Sequence, residues 1–296
     1  MSKKSSIPLV NYGGQALIEG ILMRGRSYLT AAFRLPNGSI KVVEEKLTGI
    51  YTKKIRDIPF LRGLIILWDS LVLGMKYITI SSNMQLQEEE EKIEGPVFYF
   101  TLLVSLLFAL TIFFFLPTLL MQFLYKSTNL TTFTINIIEG ILRLVIMIVY
   151  LSLIGKMEDI KRVFSYHGAE HKTIAAYEHG DALEVASVQK YSTAHPRCGT
   201  SFLLTVMVVS ILVFSLFSPT NIFLRLLSRI ILIPVVAMIS YEFIRFLGKY
   251  EKNPIVKIIS KPNLWLQKLT TNQPSDDMVE VALQSFKRLL QLEKVE

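Results

Sequence analysis

The stretch VFYFTLLVSLLFALTIFFFLPTLLMQFL, from Val97 to Leu124, carries no charged side chain and is broken only by Pro117. Roughly 20 mostly apolar residues suffice for a helix to cross the hydrocarbon of a bilayer, and such a helix can carry a proline as a kink. Three more apolar runs follow: about Ile135 to Ile154, about Ser201 to Phe217, which is short, and about Leu226 to Phe246, with Pro234 inside. Pro219 and Asn221 mark a tight turn, so the last two runs are expected to pair as an antiparallel hairpin. With 51% hydrophobic residues and a mean hydropathy of +0.42, the composition exceeds what a globular surface tolerates. The expected fold class is mainly α: a multi-pass transmembrane helical protein with about four spans, a small N-terminal β-ribbon region, an interfacial helix and a cytosolic helical loop.

Charge orients the spans. Lys3, Lys4, Arg24, Arg26, Arg34, Lys41, Lys46, Lys53, Lys54, Arg56 and Arg62 precede the first span, whereas the 125 to 134 loop holds only Lys126. Positive residues stay on the cytosolic side, which places the N-terminus inside a cell membrane. Four crossings return the C-terminus inside, where Lys249, Lys252, Lys257, Lys261 and Lys268 agree, and they place 155 to 200 inside as well. Arg225 and Arg229, near the outer end of the last span, count against this scheme and are expected to snorkel. The opening MSKKSSIPLV has no apolar core long enough for a cleaved signal. The net charge of +8 favours anionic lipid over nucleic acid as a partner.

Outside the spans the chain divides into 1–57, a cytosolic region with a β-ribbon; 58–95, an interfacial helix and acidic linker; 155–200, a cytosolic loop; and 248–296, a cytosolic tail. The spans themselves occupy 96–154 and 201–247. The ribbon is expected from Thr30–Leu35 and Ile40–Lys46 around Pro36, Asn37 and Gly38. Leu61 to Ile80 has the length of a span, but Arg62, Asp69 and Lys76 recur every seven residues along one face, which favours a helix lying along or partly within the cytosolic leaflet. Glu88 to Glu91 reads as a solvated linker. After Ser275, Asp276 and Asp277, the stripe of Val279, Leu283, Phe286 and Leu290 predicts an amphipathic helix that packs on another surface. Glu139 with Arg143, and Glu242 with Arg245, are expected to neutralise one another locally.

All four histidines and the one cysteine of the chain fall in FSYHGAEHKTIAAYEHGDALEVASVQKYSTAHPRCGTSF, Phe164 to Phe202. One cysteine excludes an intrachain disulfide framework. His167, Glu170 and His171 form H-x-x-E-H, which on a helix sets both imidazoles one turn apart on one face. Glu178 shares that face, and Gly180 is the helix stop, with His179 as a cap rather than a ligand. His195 and Cys198 form an H-x-x-C in a Pro/Gly turn before the third span. Imidazole and thiolate suit zinc or another divalent metal, with His167, His171, His195 and Cys198 as candidate ligands. Glu170 is the candidate general base or orienter. The competing account is a hydrogen-bonded network that seals polar groups between helices, with Cys198 buried as a small apolar residue. No internal repeat, phosphate-cradling glycine loop or paired CxxC is present.

GGQALIEGILMRG from Gly13 to Gly25, IPFLRG from Ile58 to Gly63, YHGAEHKT from Tyr166 to Thr173 and HPRCGTSF from His195 to Phe202 resemble the signatures of the YqhQ-like family. The resemblance covers nearly the whole chain and implies a bacterial multi-pass membrane protein, in a family labelled as metal-dependent enzymes on its His/Glu/Cys pattern. The third ligand of the inverted zincins usually comes from farther along the chain than a neighbouring H-x-x-C, which counts against peptidase chemistry. The first motif is expected to be a glycine-dependent packing joint rather than a binding loop. The leading functional reading at this level is a non-enzymatic accessory subunit of a membrane complex for protein translocation, insertion or transport. The alternative is a metal-dependent membrane hydrolase. A small transporter or lipid-binding protein is a third; no pair of Gly/Pro-broken helices in matching positions supports transport.

Overall fold

A computed structural model describes residues 12–48, 58–86, 95–195, 198–217, 219, 221–250 and 253–294. The expected acidic linker at Glu88 to Glu91 lies outside these residues, as do Lys3, Lys4, Lys53, Lys54, Arg56 and Lys252.

Two hairpins open the chain. β1 (Gly13–Leu17), β2 (Gly20–Arg24), β3 (Tyr28–Arg34) and β4 (Ile40–Lys46) form one antiparallel sheet in the order β1-β2-β3-β4. The expected ribbon is β3 with β4, in register from Arg34 opposite Ile40 to Tyr28 opposite Lys46, and Gly38 takes the left-handed turn position at φ 83°. The Gly13 to Gly25 motif is the other hairpin, turning at Ile18 and Glu19. It joins by close packing: a Cβ on Gly20 would lie 2.6 Å from the Ala32 carbonyl oxygen.

Both faces of this sheet are covered. Ile21, Met23 and Ala32 pack with α5 (Glu158–His179) and α10 (Asp276–Lys294), through Tyr166, Ala169, Val279, Leu283 and Phe286 among others. The expected amphipathic tail is thus α10, whose apolar stripe closes the sheet. Leu22, Leu29, Ala31 and Phe33 point the other way, onto Leu73 and Tyr77 of α1 (Leu61–Gln85).

The apolar elements are α1, α2 (Gly95–Leu110), a π-helical turn (Thr111–Phe115) that runs on into α3 (Leu116–Ser127), α4 (Thr132–Ile154), α7 (Ser201–Leu216) and α8 (Ile222–Lys249). Among the described residues four helices are long and apolar enough to cross a membrane: Leu61–Gln85, Gly95–Leu124, Thr132–Ile154 and Ile222–Lys249; α7 is a shorter apolar helix. The π-helical turn ends just before Pro117, whose missing N–H and ring bulk a regular α-helix accommodates poorly. α7 packs antiparallel on α8 and also on α4, where Gly140 lets Ile211 approach so closely that a Cβ would overlap it. Asn221 caps α8 through the N–H groups of Phe223 and Leu224.

The charges inside this bundle pair differently from their sequence neighbours. Arg62, Asp69 and Lys76 each find a protein partner: Asp69 pairs with Arg24, Lys76 Nζ lies 2.6 Å from Glu45, and Arg62 Nε donates to Glu242 at 2.6 Å. Glu242 therefore belongs to Arg62 and to the Phe60 N–H rather than to Arg245. Arg225 and Arg229 do not snorkel. They are 1% and 0% exposed, and both donate to Asn136 Oδ1, at 2.6 and 3.1 Å. Glu139 pairs with Arg143 as expected and also faces Arg229 at 3.4 Å.

Candidate metal centre

α5 begins with Glu158 and Asp159 at its positive end and stops at Gly180, in the left-handed region at φ 77°. His179 lies in the last turn with Nδ1 on the Ala175 carbonyl, 2.7 Å away, the capping role expected of it. Between these ends the helix is buried against the sheet and α10, so its H-x-x-E-H string faces protein rather than water.

His167, His171 and Cys198 come together: one ligand atom from each lies within 4.8 Å of the others. His167 Nε2 is 3.2 Å from Cys198 Sγ. The other nitrogen of each ring meets a backbone carbonyl, His167 Nδ1 at 2.9 Å from Thr270 O and His171 Nδ1 at 2.5 Å from Thr193 O. A carbonyl only accepts, so each ring carries its proton on Nδ1 and turns the Nε2 lone pair inward. This is how metal-binding histidines are commonly oriented. His171 Nε2 is buried and has no hydrogen-bond partner among the described residues.

The electrostatics follow from burial. Desolvation, then the neighbouring His167, holds His171 down at about 3, and burial also lowers His167. Burial, then the nearby Glu170, pushes the Cys198 thiol up to about 12, and Thr200 offsets this by donating its N–H to Sγ at 3.3 Å. Two neutral imidazoles and a thiol thus lie together in a buried site. A divalent cation would supply the positive charge that a thiolate needs there. The donor set fits a borderline-soft ion such as zinc.

The fourth expected ligand stands beside this group and not within it. His195 has its ring centroid 5.8 Å from that of His171, and its Nε2 meets Glu178 Oε2 at 3.2 Å. Pro196 and Arg197 of its turn lie outside the described residues. Glu170, the expected proton-transfer residue, is 6% exposed and reaches the first hairpin, where a Cβ on Gly14 would fall 2.9 Å from its Cδ. Burial raises its carboxyl to about 8, against the lowering effect of a hydrogen bond from the Gly14 backbone. A cleft of about 460 Å³ runs between Gly14 and Gln15 of the hairpin, Ser70 of α1, and Glu170, His171 and Cys198.

Several supports escape a sequence reading. Gln267, the last residue of α9 (Pro254–Gln267), grips the H-x-x-C turn: its Oε1 accepts the His195 N–H at 2.9 Å, and its Nε2 donates to His195 O at 2.9 Å and to Ser201 Oγ at 3.2 Å. Beyond it, Thr270 O holds His167, and Asn272 packs on Gly168 so tightly that a Cβ there would be 2.1 Å from its carbonyl oxygen.

A family described as "Protein of unknown function (DUF1385)" matches residues 58–292. The chain is also 37% identical over 309 residues to "Uncharacterized protein YqhQ" of Bacillus subtilis (strain 168), covering 99% of this chain and 96% of that one. The chain belongs to the YqhQ-like family. No solved structure matches it significantly. The family match begins at Ile58 and so takes in α1, the bundle, both histidine motifs and most of α10, while the alignment to the Bacillus relative extends over the first hairpin as well.

Proposed function

We propose that this YqhQ-like protein is a membrane-embedded, metal-dependent hydrolase with its centre at His167, His171 and Cys198. The observation that carries the reading is the buried, unpartnered Nε2 of His171, aimed at the same point as His167 Nε2 and Cys198 Sγ. A sealing network would be expected to satisfy such an atom, since leaving it bare costs about 1–3 kcal/mol. His167, His171 and Cys198 would hold a divalent ion whose Lewis acidity could activate water or polarise a carbonyl or phosphoryl oxygen. The adjoining cleft favours an enzyme over the purely accessory subunit, because it opens the three-ligand centre to a substrate.

The chain's own residues divide the remaining work. Thr193 and Thr270 fix the tautomers of the two ligand histidines through their carbonyls. Glu170, which lines the same cleft as His171 and Cys198, is the group placed to accept and return a proton at its carboxyl. His195, paired with Glu178, stands beside His171 as a second proton carrier rather than a ligand. The first hairpin and α1 wall the cleft opposite His171 and Cys198.

Elemental analysis of detergent-purified protein tests the centre. Wild type should carry about one equivalent of a divalent transition metal, the His167→Ala/His171→Ala double variant almost none, and Glu170→Gln close to the full amount while losing cellular function. Wild-type protein purified without chelator that holds no metal, and whose thermal midpoint does not move on adding zinc or manganese, would overturn the reading.

A further inference from the structure

A second cavity, of about 690 Å³, lies on the other side of His195, between the C-terminal ends of α5 and α8 and one face of α9. α9 follows directly on α8 and shows three faces. Val256, Asn263, Leu266 and Gln267 are buried against the protein. Ile255, Ile258, Ile259 and Trp265 form an exposed apolar stripe at helical spacing. Lys257, Ser260, Lys261 and Leu264, spaced by three and four residues, line the cavity.

An apolar stripe ending in a tryptophan, on a helix leaving a membrane-spanning segment, belongs at the bilayer interface. The cavity on its other face therefore sits at headgroup depth. Lys257 and Lys261 are both exposed, and neither ammonium has an ion-pair or hydrogen-bond partner among the described residues. Among the described residues Glu178 is the one acidic residue lining the cavity, and its Oε2 is engaged by His195. Ile244, Leu247 and Leu264 give the same space an apolar wall. Two uncommitted cations and an apolar wall suit a ligand that joins a phosphate to a hydrocarbon. His195 borders both this cavity and the cleft beside His171 and Cys198.

We propose that the α9 cavity binds the phosphate headgroup of an anionic membrane lipid through Lys257 and Lys261, and that the metal centre draws its substrate from phosphate-bearing amphiphiles arriving by this route. The substrate role rests on the hydrolase reading above; the lipid site itself does not.

Full-length protein in neutral detergent is titrated with dioleoyl-phosphatidylglycerol, dioleoyl-phosphatidylcholine and inorganic phosphate, following retained ligand by native mass spectrometry, with metal content measured on the same samples. Phosphatidylglycerol should bind at least tenfold more tightly than phosphatidylcholine, and Lys257→Gln/Lys261→Gln should weaken it roughly 10- to 30-fold, as expected for losing two lysines near a charged headgroup. Each single substitution should give an intermediate loss. Equal binding of phosphatidylglycerol to wild type and double variant overturns the proposal. Inorganic phosphate binding as tightly as the lipid, with the same lysine dependence, also overturns it by assigning the cavity to soluble phosphate compounds. A lysine-dependent lipid site in metal-free protein would refute the hydrolase reading while leaving this site standing; a metal-loaded protein without lysine dependence would do the reverse.

Discussion

Gly14 and Glu170 form one joint from two motifs far apart in sequence. A methyl group on Gly14 would lie 2.5 Å from the Leu22 carbonyl oxygen and 2.9 Å from Glu170 Cδ, so the paired strand or the carboxyl must shift. Gly14→Ala should therefore cost about 1–3 kcal/mol by overpacking and displace Glu170, lowering the thermal midpoint of the purified protein and impairing function while metal is retained. Gln267→Leu should act on the other side of the centre. It strips the His195 N–H and C=O of their partners at a penalty of about 1–3 kcal/mol for each buried group left bare, and elemental analysis should find the metal partly lost although no ligand has changed. His167, His171 and Cys198 were legible in the sequence because their chemistry is written in side chains, at a spacing that a helix converts into one face. Thr193 and Thr270 act through carbonyls that any residue would offer, so nothing in their identity announces the role. Gln267 did leave a trace, as a polar residue on the buried face of an otherwise apolar helix stripe. His195 shows the limit of counting donors: it has a ligand's chemistry and neighbourhood, but its ring nitrogen faces Glu178.

Among the helices, α4, α7 and α8 are held by a network with more cation than anion. Glu139 faces Arg143, Arg225 and Arg229, with Asn136, the Phe214 and Phe217 carbonyls and the ring of Phe214 sharing the excess charge. Removing the carboxylate leaves three buried guanidiniums without an anion, so Glu139→Gln should lose about 3–5 kcal/mol, read as a lower thermal midpoint in detergent. α1 poses a different question, because it has the length of a span yet is shared between two bodies. From Leu73 onward it packs under the sheet, which leaves about 12 residues, or about 18 Å at 1.5 Å per residue, clear of it. That is short of the roughly 30 Å hydrocarbon core. Cysteines introduced as Ile58→Cys and Asn83→Cys should accordingly react with an impermeant reagent from the same, cytosolic side; opposite-side labelling would make α1 a true crossing. The β3–β4 hairpin was legible from its turn and alternating pattern, whereas β2 was not. Its Ile21, Leu22 and Met23 are all buried because both sheet faces are covered, which erases the period of two that marks a strand.

At the scale of the whole molecule, packing turns orientation into a single choice. The sheet within residues 13–46, α5 within 155–200 and α10 at the end of the chain share one apolar core, through Ile21, Met23, Tyr166, Ala169, Val279 and Phe286. Three segments that pack on one another must lie on the same side of any bilayer. Between them run α2 with α3, then α4, then α7 and α8; if α1 stays on one side and the shorter α7 crosses with α8, two crossings precede α5 and two follow it, an even count that agrees with the packing. Which side this body occupies is set by Lys and Arg: Arg24, Arg26, Arg34, Lys41, Lys46 and Arg62 lie on its stretch of chain, against Lys126 alone between positions 125 and 134, at the end of α3. The two arginines that spoke against the scheme are withdrawn from the count, since Arg225 and Arg229 are buried inside the bundle around Glu139 and Asn136 and present nothing to either surface. The body, and the candidate metal centre with it, should therefore face the cytosol. A Glu184→Cys variant, exposed in the turn after α5, should react with an impermeant maleimide only after the cells are permeabilised, while Leu130→Cys in the α3–α4 loop should react in intact cells. Labelling at position 184 in intact cells would invert the molecule, and the centre would then open to the outside rather than to cytosolic metal and substrate.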